Sequence, residues 1–152
     1  MLDLMTAESS TCDRATTGLF GQWSCAAHSP GGVTHPDHLA DSNADWLPVT
    51  IPCTVASTLH ANGRWSFDTP DDIDAHDWWF RTSFPSPELV DGQTCHLCFD
   101  GLATLAEVWL NGQPLLATDN MFRAYRVKVS ALLQHENELA ICFRSVSHDL
   151  KQ

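Results

Sequence analysis

Apolar and polar positions alternate with a period of two through most of the chain after Asp77. Trp78, Phe80, Thr82 and Phe84 fall on one side of such a segment, and Trp79, Arg81 and Ser83 on the other. Ala106, Val108 and Leu110 alternate with Glu107 and Trp109. Tyr125, Val127 and Val129 alternate with Arg126 and Lys128, and Leu139, Ile141 and Phe143 with Ala140, Cys142 and Arg144. A pleated strand sends successive side chains to opposite faces, so each stretch predicts a strand with one buried face. Residues 94–100 predict one more. Turn chemistry punctuates the run: Pro85-Ser86-Pro87 ends a strand and Asp100-Gly101 turns another. Asn111-Gly112 tolerates φ > 0 at both positions and predicts a type I′ hairpin.

The first half is less regular. Residues 20–27 read as a strand and 46–51 as a short apolar one. Between them, residues 28–43 carry Pro30, Gly31, Gly32 and Pro36 and predict a long loop. Residues 54–61 suit a short helix, stopped by Asn62-Gly63. Residues 66–77 hold five aspartates and Pro70, and predict a second loop. Residues 1–18 are mostly polar and read as an N-terminal extension, leaving 19–152 as the domain. Short strands about ten residues apart predict an all-β, antiparallel sandwich or barrel.

The chain has 152 residues, enough for one domain but not for a (β/α)8 barrel of about 250. Its net charge of −11 repels phosphate backbones and argues against a nucleic-acid partner. No apolar run is long enough to span a membrane, so none is expected as a partner. The start, Met-Leu-Asp-Leu-Met-Thr, lacks a basic, apolar signal, which predicts a cytosolic chain with reduced thiols.

Candidate chemistry is sparse. Cys95-His96-Leu97-Cys98 has the spelling of a metal or redox motif, but on a strand the two sulfurs point to opposite faces. His28, His35 and His38 lie in a loop without a regular element to fix ligand geometry. Asp68, Asp71, Asp72, Asp74 and Asp77 lack the central Gly and distal Glu of an EF-hand. No cofactor or metal is expected. Six tryptophans remain, and an indole face stacks on a sugar as readily as it fills a core. Trp78 and Trp79 are adjacent on a strand, so at most one belongs to the inner core and the other is exposed or lies at an interface. Trp109 also faces away from its apolar neighbours, which predicts a covering loop, a partner domain or a ligand.

Six segments together resemble a known family: Trp46-Leu-Pro-Val-Thr-Ile-Pro, Trp78-Trp79-Phe80-Arg81-Thr-Ser-Phe84, Leu97-Cys-Phe99-Asp100-Gly101-Leu102, Ala106-Glu-Val108-Trp109-Leu110-Asn111-Gly112, Asn120-Met121-Phe122 and Asn137-Glu-Leu139-Ala-Ile141. The chain resembles the N-terminal sugar-binding jelly roll of glycoside hydrolase family 2, on its β-mannosidase branch. The resemblance implies a galactose-binding-like jelly-roll β-sandwich of eight or nine strands. It also implies a parent enzyme whose catalytic glutamates stand on a separate barrel, so no catalytic residue is expected in this chain. Asp119, Asn120, Met121 and Phe122, with Trp109 and Trp79, are the residues expected to bind carbohydrate or line an active-site rim. The implied partners are a β-mannoside or related glycoside, the catalytic barrel and, through an open sheet edge, a second copy. An independent carbohydrate-binding module and a structural domain without ligand are the alternatives.

Overall fold

In the computed structural model, residues 6–8, 14–16, 18–19, 22–66, 68 and 72–149 are described. The period-two segments become strands: β5 (Asp77–Pro85), β6 (Thr94–Phe99), β7 (Ala106–Leu110), β9 (Tyr125–Lys128) and β10 (Glu136–Phe143). β3 (Trp23–His28) and β4 (Leu47–Val49) precede them, and β8 (Gln113–Thr118) follows the hairpin. The extension read into residues 1–18 supplies two further strands, β1 (Thr6–Glu8) and β2 (Arg14–Thr16). Six strands pair in the order β4-β3-β5-β10-β7-β8, and four in the order β2-β1-β6-β9. Every pairing is antiparallel.

The two sheets close on one core. The larger sheet contributes Trp23, Cys25, Trp78, Phe80, Phe84, Val108, Leu110, Leu139 and Ile141; the smaller contributes Cys95, Leu97 and Phe99. β6 shows the strict alternation of a strand buried on one face only: Cys95, Leu97 and Phe99 are in, His96 and Cys98 are not. Cys95 and Cys98 therefore stand on opposite faces, as the period requires. None of the five described cysteines is joined in a disulfide. Burial, and then the neighbouring Cys53, pushes the Cys25 thiol up to about 12, and burial raises Cys142 as well.

Helix α1 (Val55–Ala61) forms where the cap chemistry places it. Thr54 Oγ1 accepts from Ser57 N (3.1 Å) and Ser57 Oγ accepts from Thr54 N (2.9 Å), a reciprocal capping box. Asn111 at φ 52° and Gly112 at φ 75° make the predicted left-handed turn between β7 and β8.

That turn is stapled to β10. Asn111 Oδ1 accepts from Glu138 N (2.9 Å) and its Nδ2 donates to Asn137 Oδ1 (3.0 Å) and Leu132 O (2.8 Å). Asn137 is 1% exposed, and its amide donates to Gln134 O (3.0 Å), Ser86 Oγ (3.1 Å) and Phe84 O (3.4 Å). Two asparagines thus hold three turns together at one end of the sandwich.

The outer face of the larger sheet is covered. Trp79 and Trp109 face away from the main core and stack at 5.0 Å between centroids, inclined by 28°. Val33 and Leu39 of the loop between β3 and β4, together with half-buried Trp46, pack on them as a third layer. Arg81 lies 3.8 Å over the Trp46 ring. His35, at the cover's far end, donates from Nε2 to Gly112 O (3.1 Å).

A charged latch fixes this cover. Asp77, read from sequence as part of the acidic loop, opens β5 instead and is 1% exposed. Its carboxylate accepts from Gly31 N (2.9 Å), Arg144 Nη1 (2.8 Å) and Ser145 N (2.8 Å). Arg144 also donates to Val33 O (2.9 Å) in the cover and to Glu107 Oε2 (2.5 Å) on β7. His28 pairs with Asp77 across the sheet, and its Nε2 is buried without a partner. Burial lowers the His28 pKa from its ordinary 6.5, against the opposing pull of the Asp77 carboxylate.

The unfolded chain therefore binds more protons at His28 than the folded one just below pH 6.5. Stability is expected to fall as pH drops through that value and to level off below the lower folded pKa. Melting temperatures across pH 5–8 check this, and His28→Gln is expected to flatten that part of the profile.

Candidate functional site

The end of the sandwich opposite the Asn111–Gly112 turn gathers the loops that lead into β5, β7 and β9. These are residues 72–76, 100–105 and 119–124, joined by the short helix α2 (Val146–Asp149) after β10. Asp119 and Asn120 are exposed, Met121 is 47% exposed and Phe122 is 90% exposed. This tip is ordered by its own polar groups. Asn120 Oδ1 accepts from Phe122 N (2.9 Å), and Asn120 O accepts from Tyr125 Oη (3.3 Å). Such an Asx turn holds the backbone without help from a partner.

Gly101 backs the tip. A Cβ placed on Gly101 would stand 2.8 Å from Met121 O, closer than real Cβ atoms approach a carbonyl. The Asp100-Gly101 turn and the Asn120-Met121-Phe122 segment, two separate motifs in sequence, are therefore in contact through a glycine. Gly101→Ala is expected to displace the tip and cost about 1–3 kcal/mol by overpacking. Chemical denaturation reads the cost, and the amide shifts of Met121 and Phe122 read the displacement.

Beside Gly101 opens a groove of about 660 Å³. Its floor is the inner face of the larger sheet, including Trp78, Phe80, Ile141 and Phe143, and Ile51, Pro52, Leu105 and Val146 stand on its walls. Asp72, Asp74 and His76 line one rim. Trp78 Nε1 donates to Ile73 O (2.9 Å) and Trp23 Nε1 to Leu19 O (3.0 Å), so both indole N–H groups are spent.

The structure separates the expected site residues into two groups. Asp119, Asn120, Met121 and Phe122 come together on one exposed loop. Trp79 and Trp109 do not join them: at 0% and 6% exposure they lie beneath the cover, and neither ring offers a face to a sugar in this arrangement. Of the occupants expected over Trp109, the structure shows the covering loop. Of Trp78 and Trp79 only Trp78 lies in the inner core, as expected, but Trp79 is neither exposed nor at an interface: at 0% exposure it is sealed between sheet and cover. Sequence reasoning missed the groove, because its floor and walls come from residues as far apart as Trp23 and Val146. Among the described residues, no three His, Cys, Asp or Glu side chains gather as a metal site, and no helix is long and apolar enough to cross a membrane.

The family model for the glycosyl hydrolase 2 galactose-binding domain-like domain matches residues 34–152. The chain belongs to this family. Beta-mannosidase B of Emericella nidulans is 39% identical over 103 residues, a match covering 61% of this chain and 12% of that protein. Beta-mannosidase B of Thermothelomyces thermophilus is 46% identical over 69 residues, covering 45% and 8%. Among solved structures, the beta-D-mannosidase of Dictyoglomus thermophilum superposes with a TM-score of 0.69 at 27% identity, over 88% of this chain and 16% of that one. A Faecalibacterium prausnitzii beta-glucuronidase shares the fold, with a TM-score of 0.63 at 21% identity. The chain spans an eighth or less of the length of these two mannosidase B relatives. It is thus a glycosyl hydrolase 2 galactose-binding-like domain, similar to a small part of these beta-mannosidases. The six-stranded sheet, with Trp109 and Asn111 on its β7–β8 hairpin, lies wholly or largely inside the matched region except for β3.

Proposed function

We propose that the chain serves as an accessory domain of a β-mannosidase-like retaining glycoside hydrolase, working in the cytosol. It packs against the catalytic barrel and lends Asp119–Phe122 to the rim of that barrel's active site, where a β-mannoside or related glycoside binds. The observation that carries this reading is the tip itself. An almost fully exposed phenylalanine on a turn already ordered by Asn120 and backed by Gly101 is suited to contact something outside the chain. Ordering costs that a flexible loop would incur on docking are already met in the fold.

The two carboxylates held by Arg144 fit a non-catalytic role. Retaining hydrolysis needs two carboxyl groups about 5–5.5 Å apart, one held as an acid and one free to attack. Asp77 and Glu107 are both engaged by Arg144, and Asp77 is sealed from solvent. Both are held by the guanidinium in an ion pair rather than free to attack.

Self-association belongs to the same proposal, with the open edge of β8 as the pairing surface. Pro48 interrupts the donors of edge strand β4, and Arg126 and Lys128 charge edge strand β9. On β8 only Pro114 does so, leaving 115–118 able to pair. Light scattering is expected to show dimers growing with concentration, and Leu116→Pro to abolish them.

A chimera tests the rim. The chain replaces the matching domain of the Dictyoglomus thermophilum beta-D-mannosidase, and Phe122→Ala is compared with the unaltered chimera on p-nitrophenyl β-mannoside. A fall in kcat/KM of about tenfold, with melting unchanged, is expected for a lost rim contact. Equal kcat/KM in two equally stable chimeras would overturn the rim assignment.

A further inference from the structure

We propose that the groove beside Gly101 is a docking site for an extended polypeptide segment carrying aliphatic and basic residues. The inference rests on the reading of the chain as one part of a larger enzyme, which supplies such a segment from outside these 152 residues.

The floor sets the class of occupant. Phe80, Ile141 and Phe143 belong to the inner face of β5 and β10, the two central strands of the larger sheet, so the groove is a continuation of the core. Its aromatic rings are not laid open as platforms. Trp23, Trp78 and Phe80 are 3%, 7% and 6% exposed, and Phe143 meets Phe80 edge to face at 5.4 Å. A sugar stacks its C–H face on an open ring and spends its hydroxyls on polar groups pointing inward. Here the two indole N–H groups are already committed to Ile73 and Leu19. Aliphatic side chains, entering between Ile51, Leu105 and Val146, need only the apolar walls the groove offers. An extended chain brings one such side chain every second residue and turns the others to the rim.

The rim sets the charge of those others. Asp74 stands along one wall, and Asp100 is exposed next to Gly101. Among the described residues that line the groove, Arg144 is bound to Asp77 and Glu107 rather than to these two. An occupant with lysine or arginine at the rim positions meets complementary charge, and an acidic one is repelled.

Calorimetric titration of the full chain with synthetic decapeptides tests this. The probes alternate isoleucine with lysine, or isoleucine with glutamate, and mannopentaose is the third. The lysine peptide is expected to bind at least tenfold more tightly than the glutamate peptide. Ala103→Trp fills the mouth from an exposed position and is expected to weaken that binding at least tenfold, and Asp74→Asn to weaken it several-fold. Should Ala103→Trp fail to fold, Thr104→Trp obstructs the same mouth. Equal binding of both peptides, no binding of either, or lysine-peptide binding untouched by both blocked mouths would overturn the proposal. So would mannopentaose binding that the blocked mouth abolishes, which assigns the groove to saccharide. None of these outcomes bears on the Phe122 chimera, so the docking site and the rim role stand or fall separately.

Discussion

Replacing Arg144 by methionine is expected to lower the unfolding free energy by about 3–5 kcal/mol, the range for breaking a buried ion pair by removing one partner. Asp77 would stay in place at 1% exposure, still accepting from Gly31 and Ser145 but without its cation. The loss is structural as well as electrostatic. Arg144 Nη1 is shared between Asp77 and Val33 O, so the guanidinium ties the cover to both sheet strands that flank it. The hydrogen bonds to Glu107 and Asp77 raise the Arg144 pKa further despite its burial, so the guanidinium stays charged throughout the working pH range. Urea denaturation gives the magnitude. Hydrogen exchange gives the place: the amides of Gly31 to Leu39 are expected to lose protection before those of β5 and β10. A change below about 1 kcal/mol, the level of a solvent-exposed pair, would show that the latch carries little.

Asn137→Ala is the second large effect, expected at about 2–4 kcal/mol because several buried or half-buried groups lose partners at once. The amide satisfies Gln134 N and Asn111 Nδ2 through Oδ1, and it supplies donors to Phe84, Gln134 and Ser86. Asn111→Ala removes part of the same network and also forces an alanine to φ 52°. Since the two side chains are in contact, the double variant is expected to be less destabilised than the sum of the singles, with a coupling of about 0.5–3 kcal/mol. Strict additivity in the denaturation series would mean that the two asparagines act separately.

Both networks show what could be read in the sequence and what could not. The Asn111-Gly112 turn was legible because its backbone chemistry is local. Its bond to Asn137 was not, although both residues stand in the segments that carry the family resemblance. The same holds for Gly101 and Met121, whose motifs are separate along the chain and touch only in the fold. Strands β6 and β9 were legible because half-burial imposes a period of two on them. β5, β7 and β10 are buried on both faces along much of their length, and were legible from the apolar residues that alternate onto the inner core with Arg81, Ser83, Glu107 and Glu138 between them. α1 was legible because Thr54 and Asn62-Gly63 mark its ends. β1 and β2 carry no such signal. Three residues do not establish a period, and pairing with β6 makes them strands.

Asp77 was misplaced for a related reason. It ends a run of aspartates and looks solvated until Arg144, 67 residues on, supplies its counter-charge. Outward-facing Trp79 and Trp109 were correctly separated from the core by alternation. What covers them was not legible, because Val33 and Leu39 are isolated apolar residues in a segment rich in glycine and proline. Proline and glycine there let the chain cross the sheet rather than leave it.

The most direct test of the account is hydrolysis by the purified chain alone. Incubated with p-nitrophenyl β-mannoside at pH 5–7, it is expected to release no p-nitrophenol above buffer. Turnover that copurifies with the chain and is lost in Asp77→Asn or Glu107→Gln would contradict it, since the carboxylates bound here to Arg144 would then be reaching a glycosidic bond.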